Sequence, residues 1–422
     1  MISIEIFAAF DFLDKETRVG QLIHDRQKGE STYIFEYDKS FLSRFPGTKI
    51  SNELGLYQGK QAKSGNIFAF LGDALPDRWG RALIDKRENI VAKTKGRPPR
   101  SFNDFDYLVH LDDTTRMGAL RFKHNGEYIG TNYYNYPIPV ISELEDIIRE
   151  SQEYEKALAK NQPPNDTWIN NLWAQGSSLG GARPKANIID NGALYIAKIP
   201  SVKDSYDIAL WEHFAMRLAR KAGITTAETR LLKFPTSEYH TLLSKRFDRN
   251  GNKRIHYASS ITISGATDGD GASTNKGYTD IANAIIGDMN IINPMKNMEE
   301  LYRRVAFNIA VGNHDDHFRN HGFLLTEKGW TLSPAFDINP TNYMTQSLMI
   351  SPASNDSSLN ELLKASEYYM LDTSRAKEII NEVTEAVSTW KETAKEAGIS
   401  ETESRRFSTR LNTFSNKTTN VW

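Results

Sequence analysis

Strand-type and helix-type patterns occupy different halves of this 422-residue chain. Before about residue 260, apolar and polar residues alternate, as in Ile2, Ile4 and Ile6, which predicts β-strands. Asn-Gly steps flanked by such alternation predict three hairpins, at Asn125-Gly126, Asn191-Gly192 and Asn250-Gly251. Helical periodicity dominates four later segments, which are Asp280–Met289, Met298–Val311, Ser357–Tyr369 and Ser374–Ala397. A β-rich first half and a helical second half predict two lobes with a cleft between them.

Composition excludes several classes of protein. The chain has no cysteine, so disulfides and thiolate metal sites are excluded, which fits a reducing compartment. With 52 Lys+Arg against 53 Asp+Glu, the net charge is −1 and no global field would attract nucleic acid. No apolar run approaches the roughly 18 residues of a membrane-spanning helix, and the first residues do not resemble a signal peptide. We therefore expect a cytoplasmic protein without a membrane partner.

The densest set of polar side chains lies in Gly312–Asn320 (GNHDDHFRN) and in the PAFDINP segment that ends at Pro340. The FLLTEKGWTLS segment between them has the pattern of a hairpin, which would bring Asp337 back towards Asp315 and Asn320. Carboxylate and amide oxygens suit Mg²⁺, which proteins bind together with phosphate oxygens. In protein kinases, an aspartate orients the attacking hydroxyl and an asparagine five residues later binds metal, the same separation as here. The pattern therefore predicts phosphoryl transfer.

Two other interpretations of this segment stay open. An Asx-rich turn after a helix that ends near Val311 is also typical of a capped surface loop. In addition, His314, His317 and His321 have the spacing of one helical face, and imidazole is a common ligand of zinc and iron. The neighbouring aspartates and asparagines favour Mg²⁺ over zinc.

A glycine-containing segment, SSLGGARPK at residues 177–185, precedes two strand-like segments. Glycines let backbone N–H groups approach a phosphate, and Lys198 on the second of these strands can neutralise phosphate charge. The segment matches neither the P-loop nor the kinase G-x-G-x-x-G pattern, so an ordinary loop before a hairpin is the alternative. Downstream, Asp207–Ala222 has the pattern of an amphipathic helix, on which Glu212 would either pair with Lys198 or lie exposed.

A third segment, TLLSKRFDR at residues 241–249, runs from an apolar strand into charged residues near the expected boundary of the lobes. In a two-lobed nucleotide enzyme, a hinge at this place would present backbone groups to the purine edge. Taken alone, the segment is a strand end with charges.

In this order, the segments resemble the HipA family, the serine/threonine kinase toxins of bacterial type II toxin–antitoxin systems. FLGDALPDRWGRALIDKR (residues 70–87) and DDTTRMGALRF (112–122) resemble N-terminal segments of the family. The segments that resemble its kinase core are SSLGGARPK, ALYIAKIP, LWEHFAMRLARKAGI, LLSKRFDR, GNHDDHFRN and PAFDINP. The resemblance implies an α+β, bilobal, protein-kinase-like fold with a β-containing N-terminal half and an all-helical C-terminal half. It divides the chain into an N-terminal HipA-type subdomain (1–140), a kinase N-lobe (141–252) and a C-lobe (253–422).

The resemblance also implies roles for individual residues, with ATP and Mg²⁺ as cofactors. Asp315 would be the catalytic base, Asn320 and Asp337 the metal ligands, and Glu212 the ion-pair partner of Lys198. The residues expected to bind ATP are Gly180, Gly181, Ala182, Arg183, Lys185, Lys198, Arg246, Phe247, His317, Arg319, Asn320 and Asp337. Autophosphorylation of Ser178, or of its neighbour Ser177, would add negative charge where another phosphate must bind and so inactivate the enzyme.

The chain departs from the family pattern at two positions. Lys245 stands where an acidic residue often precedes the hinge, and Arg319 stands where lysine is usual. Arginine keeps the charge and can bind a phosphate, which is compatible with activity. The resemblance implies an aminoacyl-tRNA synthetase as protein substrate and a HipB-type DNA-binding antitoxin as partner, through which most DNA contact would occur. The alternatives are a small-molecule kinase, a non-catalytic co-repressor module and a metal hydrolase.

Overall fold

The computed structural model describes residues 1–130, 137–162, 165–169, 172 and 183–413. The chain forms two compact units. Unit 1 contains residues 1–49, 53–209 and 230–257, and unit 2 contains residues 50–52, 210–229 and 258 onward. The three-part division at residues 140 and 252 stays a prediction. Every helix in the described ranges is too short or too polar to cross a membrane.

The first sheet of unit 1 has six antiparallel strands in the order β4-β3-β2-β1-β5-β6. These strands are β1 (Ile2–Ala8), β2 (Thr17–Gln27), β3 (Glu30–Tyr37), β4 (Lys60–Ser64), β5 (Leu120–His124) and β6 (Glu127–Tyr128). Alternate residues of β1 are buried, Ile4 and Ile6 among them. The period-two pattern therefore predicted both the strand and its buried face.

The second sheet of unit 1 has four strands in the order β7-β8-β10-β9. They are β7 (Lys185–Asp190), β8 (Ala193–Lys198), β9 (Thr229–Leu232) and β10 (Thr241–Lys245). Ala186, Ile188 and Leu243 belong to a hydrophobic core. Residues of α3 (Arg78–Thr94), α4 (Asp104–His110) and α5 (Leu144–Ala159) also belong to this core. Among the described residues, unit 1 also contains the helices α1 (Lys39–Arg44) and α2 (Ala69–Gly72).

The three predicted hairpins are confirmed, two of them at the predicted turn. Asn191 and Gly192 both have positive φ and connect β7 to β8 as a two-residue turn. Asn125 and Gly126 connect β5 to β6 in the same way. The third hairpin pairs β11 (Arg249–Asn250) with β12 (Lys253–Arg254), so its turn lies one residue later than predicted.

Unit 2 is mainly helical. In the described part of the unit, the helices are α6 (Ile208–Lys221), α7 (Ser260–Ser264), α8 (Tyr278–Ile285), α9 (Pro294–Val311), α10 (Leu359–Lys364), α11 (Thr373–Ser388), α12 (Trp390–Ala397) and α13 (Glu401–Asn412). The first two residues of α6 belong to unit 1. Each predicted helical segment overlaps an observed helix, and the last predicted segment divides into α11 and α12. Helix α9 packs against α8, α10, α11 and α13, which makes it the centre of the unit.

The expectation of an all-helical C-terminal half needs one correction. Unit 2 also contains a hairpin of β14 (Gly322–Thr326) and β15 (Gly329–Leu332), which β13 (His256–Ser259) extends to a three-stranded sheet. The hairpin itself follows the predicted FLLTEKGWTLS pattern. The hairpin brings the residues on either side of it together, since Ser333 N–H donates to Gly322 O at 2.8 Å.

Candidate active site

The GNHDDHFRN segment follows helix α9 and begins with a left-handed turn at Gly312. Gly312 has a φ of 77°, and its N–H donates to Asn308 O, which ends the helix. The segment after β15 then folds back onto this turn, because Thr341 N–H donates to Gly312 O at 2.8 Å. His314 Nδ1 also lies 2.9 Å from Thr341 Oγ1. The two polar segments that are separated by the hairpin are therefore adjacent, as the sequence predicts.

The two consecutive aspartates of this segment have opposite environments. Asp315 is exposed, whereas Asp316 is only 2% exposed. Oδ2 of Asp316 accepts hydrogen bonds from the Tyr278 hydroxyl at 2.7 Å and the Asn308 amide at 2.8 Å, and lies 2.7 Å from His321 Nε2. Burial alone would raise the pKa of Asp316, but the charge of His321 and hydrogen bonds from His321 and Tyr278 lower it below 3.8. Asp316 therefore holds the loop in place through its buried hydrogen bonds, and we call it the anchor. Asp315 presents its carboxylate to solvent.

The two candidate metal ligands belong to segments that line one pocket. Asn320 ends a short 3₁₀ turn and is 8% exposed. Asp337 has a φ of 59°, a left-handed conformation that few residues other than glycine adopt. Asn339 Nδ2 donates to Asp337 Oδ1 at 3.1 Å. Asn320 on one segment and Phe336 on the other both line the pocket.

The oxygen atoms around Asp337 fit Mg²⁺ better than zinc. Asn339 Oδ1 is buried without a hydrogen-bond partner among the described residues, next to the carboxylate of Asp337. An unpaired buried oxygen beside a carboxylate suits a hard cation, which Asn320 and Asp337 would bind together with phosphate oxygens. Within the described ranges, no three His, Cys, Asp or Glu side chains come together as a metal site. Since His314 contacts Thr341 and His321 contacts Asp316, the predicted histidine face does not form.

The other two residues expected at the phosphates in this segment are exposed. His317 lies at the start of the 3₁₀ turn, and Arg319 lies within it. Arg319 Nε donates to Asp268 at 2.9 Å in an exposed ion pair. Their contact with ATP stays a prediction.

The glycine-containing segment is only partly described. Gly180, Gly181 and Ala182 lie outside the described residues, as do Ser177 and Ser178. Arg183 forms an ion pair with Asp204. The roles of these residues in ATP binding and autophosphorylation stay predictions.

Two lysines expected to bind ATP lie opposite each other on β7 and β8. The register pairs Lys185 with Lys198, which places both side chains on the same face of the sheet. Lys185 Nζ lies 3.5 Å from Oδ2 of Asp77, the residue that caps α3 by accepting a hydrogen bond from Gly80 N–H. Burial raises the pKa of Asp77 to about 6, although the charge of Lys185 lowers it. Lys185 thus contributes to a buried ion pair that the sequence did not indicate.

Arg246, which is expected at the adenine hinge, forms hydrogen bonds with other residues of unit 1. Its guanidinium donates to Asp248 Oδ1 at 2.7 Å, to Asp248 Oδ2 at 2.6 Å and to Thr115 O at 2.8 Å. Its backbone N–H donates to Leu194 O at 2.9 Å. The side chain is therefore structural in this conformation, and ATP binding by Arg246 and by the neighbouring Phe247 stays a prediction.

Glu212 on α6 is 3% exposed, so the interpretation as an exposed helix residue is wrong. Its pairing with Lys198 stays a prediction. Sequence reasoning also missed Tyr278 and Asn308, because nothing near either residue in the sequence indicates contact with Asp316. By contrast, Asp316 itself was visible as the second aspartate of the motif.

Two family models match this chain. One, described as the HipA-like C-terminal domain, matches residues 177–390, and the other, the HipA N-terminal domain, matches residues 11–123. The matched ranges include the predicted base and metal segments, together with both N-terminal segments that resemble the family.

Two curated relatives match parts of the chain. The serine/threonine-protein kinase toxin HipA of Shewanella oneidensis is 25% identical over 185 residues, 38% of this chain and 42% of the relative. A putative kinase of Haemophilus influenzae is 26% identical over 182 residues, 39% of this chain and 52% of the relative. The alignments thus span about half the length of these curated relatives.

A solved structure has a similar fold over most of the chain. A chain from the Shewanella oneidensis complex of HipA, HipB and operator DNA superposes with a TM-score of 0.68. The identity is 18%, and the match covers 97% of this chain and 95% of the other. This likeness supports the α+β, kinase-like fold. Because the C-terminal family model alone covers more than half of its residues, the chain belongs to the HipA family.

Proposed function

We propose that the chain is an ATP-dependent serine/threonine protein kinase and the toxin of a HipA-type toxin–antitoxin module. The observation that carries this proposal is the exposed carboxylate of Asp315, five residues before Asn320 and on a loop bonded to the segment of Asp337. Family membership supports it, and one relative is named a serine/threonine-protein kinase toxin.

In the proposed reaction, Asp315 accepts the proton of a serine or threonine hydroxyl. The hydroxyl oxygen forms a bond to the γ-phosphorus of ATP, and the bond from that phosphorus to the bridging oxygen breaks, which releases ADP. Mg²⁺ held by Asn320 and Asp337 would neutralise charge on the phosphates. Arg319 and Lys198 would add positive charge at the same phosphates, with Glu212 orienting Lys198. The proposal assigns no proton transfer to Asp316, because Tyr278, Asn308 and His321 already contact its buried Oδ2.

Phosphate incorporation tests this proposal. The wild-type protein is incubated with Mg-ATP, with and without a generic protein substrate, and the phosphate gained is measured by mass spectrometry. Asp315→Asn is expected to lower the rate about 100-fold or more, because a general base contributes about 10²–10⁴-fold. Glu327→Gln is the matched control, since Glu327 is an exposed carboxylate at the turn between β14 and β15. An Asp315→Asn protein as active as the control would refute the assignment of the base.

Autophosphorylation at Ser178, or at Ser177, is the regulatory part of the proposal. Peptide mapping after incubation with Mg-ATP is expected to place phosphate on one of these serines, and the modified protein is expected to be inactive. A Ser178→Ala/Ser177→Ala protein that still loses activity on incubation would argue against this mechanism.

The proposed protein substrate is an aminoacyl-tRNA synthetase, and the proposed partner is a HipB-type antitoxin that binds DNA. The structural match to a complex that contains HipB and operator DNA supports such a partner. The net charge of −1 is consistent with a chain that leaves most DNA contact to another protein. Phosphorylation assays on purified synthetases and co-purification with the antitoxin would test the two parts separately.

A further inference from the structure

Two buried asparagines join the anchor Asp316 to the segment of the candidate metal ligand Asp337. Asn308 is 4% exposed and Asn313 is 2% exposed. A buried carboxamide destabilises a protein unless its polar atoms are hydrogen-bonded. The two side chains are hydrogen-bonded to each other, since Asn313 Nδ2 donates to Asn308 Oδ1 at 3.1 Å.

The hydrogen bonds are continuous, and they run outward from Asn339 to a carboxylate at each end. The backbone N–H of Asn339 donates to Asn313 Oδ1 at 3.2 Å, and Asn308 Nδ2 donates to Asp316 Oδ2 at 2.8 Å. At the other end, Asn339 Nδ2 donates to Asp337 Oδ1 at 3.1 Å. Asn308 and Asn313 therefore each accept with the side-chain oxygen and donate with the nitrogen, and the chain ends on a carboxylate at each side.

The direction of the branch from Asn339 to Asp316 follows from charge. An ionised carboxylate only accepts hydrogen bonds, so Asp316 requires the nitrogen of Asn308 to face it. The oxygen of Asn308 then faces Asn313, which must present its own nitrogen there and its oxygen to Asn339. If the amide of Asn308 were reversed, its oxygen would face the Asp316 carboxylate at a buried position.

We infer that Asn308 and Asn313 are positioning residues that hold the Asp337–Asn339 segment in register with the Asp315 loop, so that metal ligands and base act on one Mg-ATP. This inference rests on the proposed function. Residues that orient metal ligands commonly contribute about 10- to 100-fold to metal affinity or activity. The side-chain bonds act beside the backbone bond from Thr341 to Gly312, and they extend through Asn339 to the Asp337 carboxylate.

Substitution of Asn313 by aspartate tests the direction of the chain with little change of shape. In Asn313→Asp, a carboxylate oxygen replaces the amide nitrogen that donates to Asn308, so two acceptors oppose each other in a buried place. The matched control is Asn360→Asp, which changes an exposed asparagine on α10. Dissociation constants are measured by calorimetry for ATP without metal and for ATP with saturating Mg²⁺, on full-length protein whose folding is checked by circular dichroism.

We expect the substitution to change the dissociation constant of Mg-ATP and not that of metal-free ATP. Asn313→Asp should weaken Mg-ATP binding about 10-fold and leave metal-free ATP binding unchanged within about twofold. The double variant Asn313→Asp/Asp316→Asn should recover part of the loss, because Asn308 can then reverse and satisfy both neighbours. Equal weakening of both constants, or the same values as the control, would overturn the inference while wild-type Mg-ATP binding leaves the proposed function standing.

Two further outcomes keep the proposals distinct. If Asn313→Asp does not fold, Asn339→Ala removes the bond to Asp337 at the partly exposed end of the chain and should show the same separation of constants. Unchanged Mg-ATP binding by that variant would overturn the inference. A wild-type protein that binds no Mg-ATP would refute the proposed function together with the inference that rests on it.

Discussion

Replacement of Asp248 by asparagine is expected to lower the free energy of unfolding of unit 1 by about 3–5 kcal/mol. Asp248 is fully buried and accepts four hydrogen bonds. They come from Arg246 Nε at 2.7 Å, Arg246 Nη2 at 2.6 Å, Arg249 Nη1 at 2.7 Å and Gly118 N–H at 2.8 Å. Asparagine keeps one acceptor oxygen, and its amide nitrogen would face guanidinium donors.

The magnitude follows from the bonds that are lost. A hydrogen bond to a charged group contributes about 1.5–3 kcal/mol, so the amide nitrogen costs about 1.5–3 kcal/mol if it replaces Oδ1, which accepts one guanidinium bond. It costs about 3–6 kcal/mol if it replaces Oδ2, which accepts two guanidinium bonds. Removal of one partner from a buried ion pair typically costs about 3–5 kcal/mol, because the remaining charge stays buried without compensation. The two arguments give overlapping ranges.

The effect has a defined pH dependence. Burial alone would raise the pKa of Asp248, but the charges of Arg246 and Arg249 lower it from 3.8 to about 2. A carboxyl group with a depressed folded-state pKa contributes stability that is complete above its unfolded pKa and is lost as pH falls through the folded value. The difference between wild type and Asp248→Asn should therefore be constant between about pH 5 and pH 8.

Urea denaturation followed by far-ultraviolet circular dichroism at about pH 5 and about pH 8 would measure this difference. Asp14→Asn is the matched control, because Asp14 is an exposed carboxyl in the same unit, and it should change stability by less than about 0.5 kcal/mol. A loss below about 1 kcal/mol for Asp248→Asn, or a loss that changes across this pH range, would refute the role of Asp248 as a buried counter-ion.

Three other substitutions test separate buried groups. Burial lowers the pKa of His256 to about 3, so stability should fall as pH drops below 6.5, and His256→Phe should flatten that dependence in urea denaturation between about pH 6 and pH 4. An unchanged slope would contradict this. Lys185→Met removes the ammonium 3.5 Å from Asp77 and should raise the pKa of Asp77 further above about 6, as followed by carboxyl NMR; an unmoved titration would show that the pair is not formed. Tyr278→Phe removes a buried hydroxyl that donates to Asp316 and should cost about 1–3 kcal/mol in thermal denaturation, whereas an unchanged stability would mean that this bond contributes nothing.

Much of the local structure could be predicted because it depends on neighbouring residues in the chain. The Asn191-Gly192 turn needs two residues with positive φ, and asparagine and glycine adopt that conformation at low cost. Helix α9 begins at Pro294 and is closed by Gly312, both of which are residues that local rules assign to those places. The third hairpin shows the limit of local rules. There Asn250 pairs with Lys253, so the turn lies one residue later than the Asn-Gly step predicts.

The interpretation of Arg246 shows why part of the candidate site could not be predicted. Its position after an apolar strand is the same for a nucleotide hinge and for a structural ion pair. Arg246 is structural because it bonds to Thr115, which is 131 residues away in the chain, and because its partner Asp248 is buried. No local pattern contains that information.

The sequence by itself determined the family, the order of strands and helices, and the two polar segments that the hairpin brings together. These features follow from short-range periodicity, turn chemistry and the order of motifs along the chain. Only the tertiary structure decided that Asp316 is buried and Asp315 exposed, because burial of one aspartate requires hydrogen bonds from Tyr278 and Asn308 on separate helices. A buried carboxylate is stable only where such donors converge, and their convergence is a property of packing.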